Sequence, residues 1–474
     1  MFFYILTGLF YLCLIWLSWK NIRWGIYLTL LFLPSYQIRF TIFGLPTTLL
    51  AGMIWLLFII WLIKLKREKG LTFSPVIWWK NLITKPVSAQ NLVPKQFRLP
   101  IVLLLVAATI SIFVAPNLQS ALGIWKAYFV EALLFFIVFV YNLTEPKHLK
   151  QVVRILGLLT IIMGIMAIYQ KLTGQLIPNP YWAAEATRRV TTLFSYPNAG
   201  ALLIAPIILL TLGNFLTNLR SSVFGYWSSV FNLLVIFLGI LTIVWTGSSG
   251  AMIGLAGGFI FLLIFYKKTR LATLLILMLI SGSLLFSPAV KNKLQNSYIA
   301  AAEIHLPDKV SDIQIRAQQW RETLKMLADR PILGAGLAGY QIIVAPYHQN
   351  RHLEIFLYPH NFFLNFWTET GLLGLLAIIW IIIVFFWSAI IGHRLLKSQR
   401  FKNDNHDQFT TPDLLTLTTS CAMITLLIHG LVDVPYFKND LAILFWIIIG
   451  LMIILYNHSK VSVVMPAESV KKIL

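Results

Sequence analysis

Charge is the scarcest commodity in this chain. Only 12% of its 474 residues are charged, against 58% that are hydrophobic, whereas a soluble domain carries roughly 25% charged residues. A soluble fold of this length is excluded. Acids are scarcer still, 17 against 38 Lys and Arg, which leaves a net charge of +21. In a soluble protein that excess would point to nucleic acid. Here the bases lie mostly in short loops between apolar runs, where they orient a membrane protein in its bilayer, so no nucleic-acid partner is expected. Cysteine is nearly absent. Cys13 and Cys421 sit far apart inside apolar runs, which argues against a disulfide framework and a thiolate metal site. Alternating ten-residue strands of the barrel type are missing. Met1–Leu17 is apolar but lacks a basic flank and a clear small-residue cleavage site, so it reads as a membrane helix rather than a signal peptide.

What the chain does have is apolar runs of about twenty residues, repeated from end to end. Backbone inside a bilayer must satisfy its own hydrogen bonds, so these runs are helices. Spans are expected near 2–18, 24–37, 45–63, 100–115, 121–141, 152–169, 196–215, 226–245, 248–266, 270–287, 362–391, 412–431 and 438–457. The short second run contains Pro34, so the count is about 12 or 13. The fold class is therefore all-α, a polytopic integral membrane protein with a large helical extracytoplasmic loop. Gly247–Gly258 (GSSGAMIGLAGG) predicts close helix packing. Lys126 and Glu131 are the obvious ionisable pair within a span. Their spacing is neither i+3 nor i+4, so no direct helical ion pair is expected.

Basic segments at Lys64–Arg98, Lys147–Arg154, Lys267–Arg270, Arg394–Lys402 and the tail with Lys471 and Lys472 fall on one side of this topology, the cytoplasmic side. The expected organisation is N-terminal spans over 1–287, with a cytoplasmic loop at 64–98 and an outer loop at 170–195. An extracytoplasmic loop with amphipathic helices follows at 288–361, then C-terminal spans over 362–457 and a cytoplasmic tail at 458–474. The loop 288–361 is expected to cap the bundle, with Gly334–Gly336 as its hinge.

Four pieces of sequence meet on the outer side. Arg188 and Arg189 precede VTTLFSYPN, which ends at Pro197-Asn198; outer arginines can simply snorkel to headgroups, but two in tandem run against the inside preference of positive charge. Ile315–Leu327 is amphipathic, with Ile315, Trp320, Leu324 and Leu327 on one face and Arg316, Gln319 and Arg321 elsewhere. Arg330-Pro331 opens a turn through Gly334 and Gly336, where glycines expose backbone N–H groups. Pro359-His360-Asn361 stands where a long apolar helix begins, with Glu369 further along it. Taken alone, each admits an ordinary structural role: a solvated face, a turn, a helix cap.

Their order resembles the O-antigen ligase and Wzy-type polymerase superfamily. The blocks are Arg189…Phe194…Pro197-Asn198, then Arg316…Trp320, then Arg330-Pro331…Gly336, then His360-Asn361…Leu364…Glu369. His429-Gly-Leu-Val-Asp433-Val-Pro435 is similar to a feature near that family's C-terminus. The resemblance spans most of the chain and implies a GT-C-like, metal-independent, inverting glycosyltransferase without cofactor. It acts in the bacterial cytoplasmic (inner) membrane, with its active site on the periplasmic or outer face. The implied donor is an undecaprenyl-pyrophosphate-linked glycan; the implied acceptor is a glycan, a lipid A-core or a protein. It assigns Arg189 and Arg316 to the donor pyrophosphate and His360 to the acceptor hydroxyl. Asn361, Glu369, Gly334, Gly336, Asn198, His429 and Asp433 are expected to support them. The chain departs from the family pattern at Thr191-Thr192-Leu193, where Gly-Thr before the Phe is common.

This chemistry suits these residue types. Pyrophosphate is already a good leaving group, so the enzyme needs positive charge where negative charge develops and a base near the hydroxyl. Two arginines can replace a metal ion there, and histidine is neutral enough outside the cell to accept a proton. No HxxH, HExxH or DxD-like cluster stands on the outer side, and no metal is expected. Ligase, Wzy-type polymerase and protein O-oligosaccharyltransferase share this donor chemistry. A flippase of lipid-linked sugars is the alternative that is not an enzyme; its marks would be ionisable residues deep in spans and paired broken helices.

Overall fold

Runs this apolar bury themselves only by packing helix on helix within lipid. A computed structural model describes residues 2–42, 45–69, 93–218, 225–266, 274–275, 278, 312–349, 354–402 and 410–464. The expected span at 270–287 and the start of the loop at 288–311 fall almost wholly outside the described residues, as do much of the 64–98 loop and most of the tail. Among the described residues, ten helices are long and apolar enough to cross a membrane, and two shorter apolar ones join them. The protein is an all-α, multi-pass membrane protein.

The N-terminal helices are α1 (Phe2–Lys20), α2 (Ile22–Leu31), α3 (Leu49–Lys69), α4 (Lys95–Val114), α5 (Leu118–Asn142) and α6 (Pro146–Thr173). Then follow α7 (Pro197–Asn218), α8 (Gly225–Thr246) and α9 (Ser249–Phe265). The amphipathic α10 (Asp312–Asp329) precedes α11 (Phe362–Lys402), α12 (Thr411–His429) and α13 (Asn439–Val464). Almost every residue of α7 is buried, and α6, α8, α9 and α12 pack round it. A two-stranded hairpin, β1 (Arg39–Ile42) with β2 (Leu45–Thr48), pairs Arg39 with Thr48; the apolar pattern gave no sign of it.

Two departures from regular helix shape the site. In α5 a π-helical turn, Trp125–Val130, adds one residue to the turn, so residues five apart come into register. Lys126 Nζ therefore lies 3.5 Å from Glu131 Oε1, contrary to the expectation from α-helical spacing. Trp55 Nε1 donates to the same oxygen at 3.1 Å. In α11, Gly371 has φ 68° and ψ −178°, a region open essentially to glycine alone. The helix breaks there into an outer segment and a long inner one. The freed groups are taken up by the turn after α10: Leu372 N–H donates to Ile332 O at 2.9 Å, and Ala335 N–H to Thr368 O at 2.7 Å.

The glycines of α9 do what their spacing predicts. A Cβ on Gly254 would stand 2.6 Å from Thr425 O, and one on Gly258 3.0 Å from Cys421 O. The backbones of α9 and α12 approach closely here, with the Thr425 hydroxyl and Leu209 side chain filling the space a Cβ on Gly258 would need. Gly250 continues the line, its Cβ position 2.7 Å from His429 Cδ2, so this contact fixes where His429 stands.

Candidate active site

At one end of the bundle, residues expected from sequence come together in two groups. The first is a relay. Arg189 Nε donates to Thr246 O at 2.7 Å, and its Nη2 donates to Asn198 Oδ1 at 3.1 Å. Asn198 Nδ2 donates to Asp433 Oδ2 at 3.4 Å, and that oxygen lies 3.9 Å from His429 Nε2. Thr246 is the last residue of α8, where carbonyls lack helical partners and a cation is favoured. Asn198 is the second residue of α7, and Asp433 lies in the turn between α12 and α13. Three helices and the turn after α12 thus fix one guanidinium.

The loop that carries Arg189 is held by a residue sequence reasoning missed. Gln170, fully buried on α6, accepts from the N–H groups of Thr191 and Thr192 at 2.9 and 2.8 Å. Its amide donates to Leu176 O and Thr192 O, each at 2.9 Å. Nothing in the local pattern marks a lone glutamine near a helix end. Thr192 takes φ 58°, a conformation glycine adopts without strain. This is where the chain departs from the Gly-Thr pattern, and the hydrogen bonds of Gln170 hold the strained backbone.

The second group surrounds His360, which has φ 46° just before α11. Asn361 caps that helix, its Oδ1 accepting from Phe363 N–H and Leu364 N–H at 3.0 Å each. Its Nδ2 donates to Leu431 O at 3.0 Å, and Phe362 N–H donates to Gly430 O at 2.7 Å. The start of α11 is thereby tied to the turn that carries Asp433. From the other side, α10 grips the approach to His360. Trp320 Nε1 donates to Pro359 O at 2.9 Å, and Gln319 Nε2 to Tyr358 O at 2.6 Å.

With its amide nitrogen so committed, Gln319 turns Oε1 toward His360 Nδ1 at 3.2 Å. An acceptor there places the ring proton on Nδ1 and leaves Nε2 with its lone pair. The imidazole stands edge-on to Phe356, 4.9 Å between centroids. Burial holds the His360 pKa below the ordinary histidine value, and the Arg316 charge lowers it further. Asp433 and the Tyr358 carbonyl push the other way. The field of Arg316 thus reaches His360, and it reaches His429 as well. Its guanidinium makes no hydrogen bond or ion pair among the described residues.

Several expectations need correction. The buried face of α10 runs through Gln319, Glu322, Thr323, Met326 and Leu327, while Leu324 is 49% exposed. Gln319 belongs to the packed face because its amide is fully engaged there. Arg316 lies one turn earlier, at i−3, on the same side as Gln319; that spacing was a signal for Gln319 that went unused. Glu369 does not orient His360. It is fully buried on the outer segment of α11, and its Oε2 accepts from Ala338 N–H at 2.7 Å. The Gly334–Gly336 turn is not built as a hinge. A Cβ on Gly334 would meet Thr368 O at 2.5 Å, and one on Gly336 would meet Ala115 N at 2.7 Å. Backbone wedged on both sides makes this turn an anchor.

The arrangement defines a helical membrane protein with a polar, cationic site at one end, built around a histidine whose free nitrogen is set by its neighbours. Residues 234–379 match the profile of the family described as O-Antigen ligase. This match supports the resemblance to the O-antigen ligase and Wzy-type superfamily over that part of the chain. The matched stretch takes in Arg316, Gln319, the Gly334–Gly336 turn, His360 and Glu369. Arg189, Asn198, His429 and Asp433 lie outside it and are joined to it only in space. No curated protein matches the chain. The family carries a role in membrane glycosyl transfer, as ligase or polymerase.

Proposed function

We propose that this protein transfers a glycan from an undecaprenyl-pyrophosphate-linked donor to an acceptor hydroxyl. The reaction takes place on the outer face of the cytoplasmic membrane and follows an O-antigen ligase-like, metal-independent, inverting path. The observation that carries this reading is the pairing of His360 with Gln319 beside the unengaged Arg316. It joins a neutral base to a free cation, the two things such a transfer requires.

In the proposed step the acceptor O–H gives its proton to His360 Nε2. The oxygen attacks C1 of the donor sugar from the face opposite the pyrophosphate. The C1–O bond breaks, its electron pair goes to the pyrophosphate oxygen, and the configuration at C1 inverts. Arg316 meets the growing negative charge directly. Arg189, engaged with Thr246 and Asn198, contributes a fixed charge more than a mobile grip. The imidazolium that forms lies within the field of Asp433, which eases its formation. The described part of the 288–361 loop serves as the cap that carries Arg316 and Gln319 over this site. A polymerase uses the same steps with a second lipid-linked glycan as acceptor.

The test uses the full-length protein in proteoliposomes with a defined lipid-linked glycan, supplying lipid A-core, protein and lipid-linked acceptors one at a time. The expected result is a product heavier than the acceptor by the mass of the glycan, with undecaprenyl pyrophosphate released. Movement of intact donor across the bilayer, with no covalent product from any acceptor, would overturn the proposal in favour of a flippase.

A further inference from the structure

At the end of the bundle away from His360 a second charged cavity opens between helices. The turn beyond α10 meets the C-terminal end of α4, where Leu337 N–H donates to Ser111 O. From there α5 runs to its far end at Tyr141 and Asn142. That far end, with the end of α1, the start of α2 and the end of α3, encloses about 200 Å³, room for roughly six waters at liquid density. Its walls include Lys20, Arg23 and Lys64 against one carboxylate, Glu68, with Trp61 and Asn142 completing them.

Three features make this a built site rather than a basic surface. Arg23 is oriented, its Nε donating to Asn142 O at 3.2 Å. Its terminal NH₂ groups meet no protein acceptor among the described residues. Trp61 is 3% exposed, and its indole N–H is buried without an acceptor among the described residues. A buried donor left unpaired is costly, so such a group calls for a ligand acceptor. Lys20 is steadied by the Trp16 face, 3.9 Å from its Nζ. The other nearby carboxylate, Glu145, senses Arg23 but is paired with Lys147 at 2.6 Å.

We infer that this cavity binds the phosphate of an anionic glycerolipid, with Arg23 and Lys64 on the phosphate oxygens and the Trp61 N–H completing the shell. The cavity opens at helix ends on the side that carries the chain's basic loops, where anionic headgroups collect. Guanidinium and ammonium groups beside an interfacial tryptophan suit a phosphate held at headgroup depth. The ligand chemistry is a phosphate ester, and it is assigned to lipid because the walls are the ends of membrane-spanning helices.

The experiment reconstitutes the full-length protein in nanodiscs of phosphatidylcholine, with or without phosphatidylglycerol. Retained lipid is read by native mass spectrometry and thermal stability by intrinsic fluorescence. Wild type is expected to retain phosphatidylglycerol selectively. R23Q/K64Q should lose that selectivity by about 30-fold, from two charges at headgroup depth, and should lose the stabilisation that phosphatidylglycerol confers. W61F keeps the ring and removes only the donor; it should weaken retention without changing insertion, and it carries the test should the double variant fail to insert. Equal retention of both lipids by wild type, or unchanged selectivity in R23Q/K64Q and W61F, overturns the proposal. Stabilisation by inorganic phosphate in pure phosphatidylcholine discs that matches the effect of phosphatidylglycerol would overturn the assignment to lipid.

Discussion

His360 and Gln319 make a unit whose chemistry can be read from pH. His360 acts as a base only when neutral, and its folded pKa lies below the ordinary histidine value of about 6.5. The acid limb of kcat/KM should therefore fall below that value, leaving the base fully available at neutral pH. His360→Ala should cost about 10² to 10⁴ in rate with insertion unchanged; near-normal turnover in a purified assay would remove it from the mechanism. Gln319→Glu tests positioning. A carboxylate against Nδ1 favours the imidazolium, so the acid limb should move to higher pH while the rate above the limb survives. A residue that only packs α10 would lower the rate without moving the limb. Arg316→Lys should recover only part of what Arg316→Ala loses, since an ammonium lacks the guanidinium fork. Full recovery would mean that Arg316 acts as charge alone. Of these residues, His360 and Asn361 were legible because their types and their place before a helix carry meaning, and Arg316, inside α10, through the resemblance. Gln170 and Gln319 were not. A glutamine becomes informative only when three-dimensional neighbours claim both ends of its amide.

At the scale of the element, the departures from regular helix hold the chemistry and were the least legible. The periodicity of α5 gave a span but not its π-turn, since spacing rules assume 3.6 residues per turn. Glu131 is 1% exposed and relies on Lys126 and Trp55. Lys126→Met should leave the buried carboxylate with Trp55 as its remaining partner and destabilise the protein by about 1–3 kcal/mol, less than for a fully buried pair because Lys126 is part-exposed. The double variant Lys126→Met/Glu131→Leu should regain most of that. Thermal unfolding in detergent checks both, and a double variant no better than the single would show that the pair does not carry the penalty. The same pair bears on the transporter alternative, for the two ionisable groups in that span are already joined to each other. The glycine stripe of α9 was legible because small residues at helical spacing have one main use in a membrane.

For the whole molecule, the bilayer made most of the fold legible. Every apolar run longer than a membrane is thick had to become a helix, and the described spans follow the expected ones closely. The break at Gly371 escaped because a glycine inside a Leu-rich run reads as tolerated rather than as a rupture. The joining of residues 189–198 to residues 429–433 is a tertiary event, visible in sequence only through resemblance. The function proposed here places the catalytic charge on arginines, so exhaustive chelation should leave transfer intact. Activity lost to chelator and restored specifically by Mg²⁺ or Mn²⁺ would require a different account of the leaving group.

The break in α11 also bears on how this end of the protein opens. Ala335 and Leu372 donate across it to Thr368 and Ile332, so neither amide belongs to an ordinary helical ladder. The first ties the turn behind to the outer half-helix through Thr368, and the second ties it to the first residue of the inner segment, Leu372. Parting the turn from the break in α11 must break them together, and the outer half-helix is capped by Asn361, beside His360. In hydrogen–deuterium exchange the two amides should therefore lose protection at one common rate, set by a single subglobal opening. The amides of the long inner segment of α11 beyond its first turn should remain protected through that event.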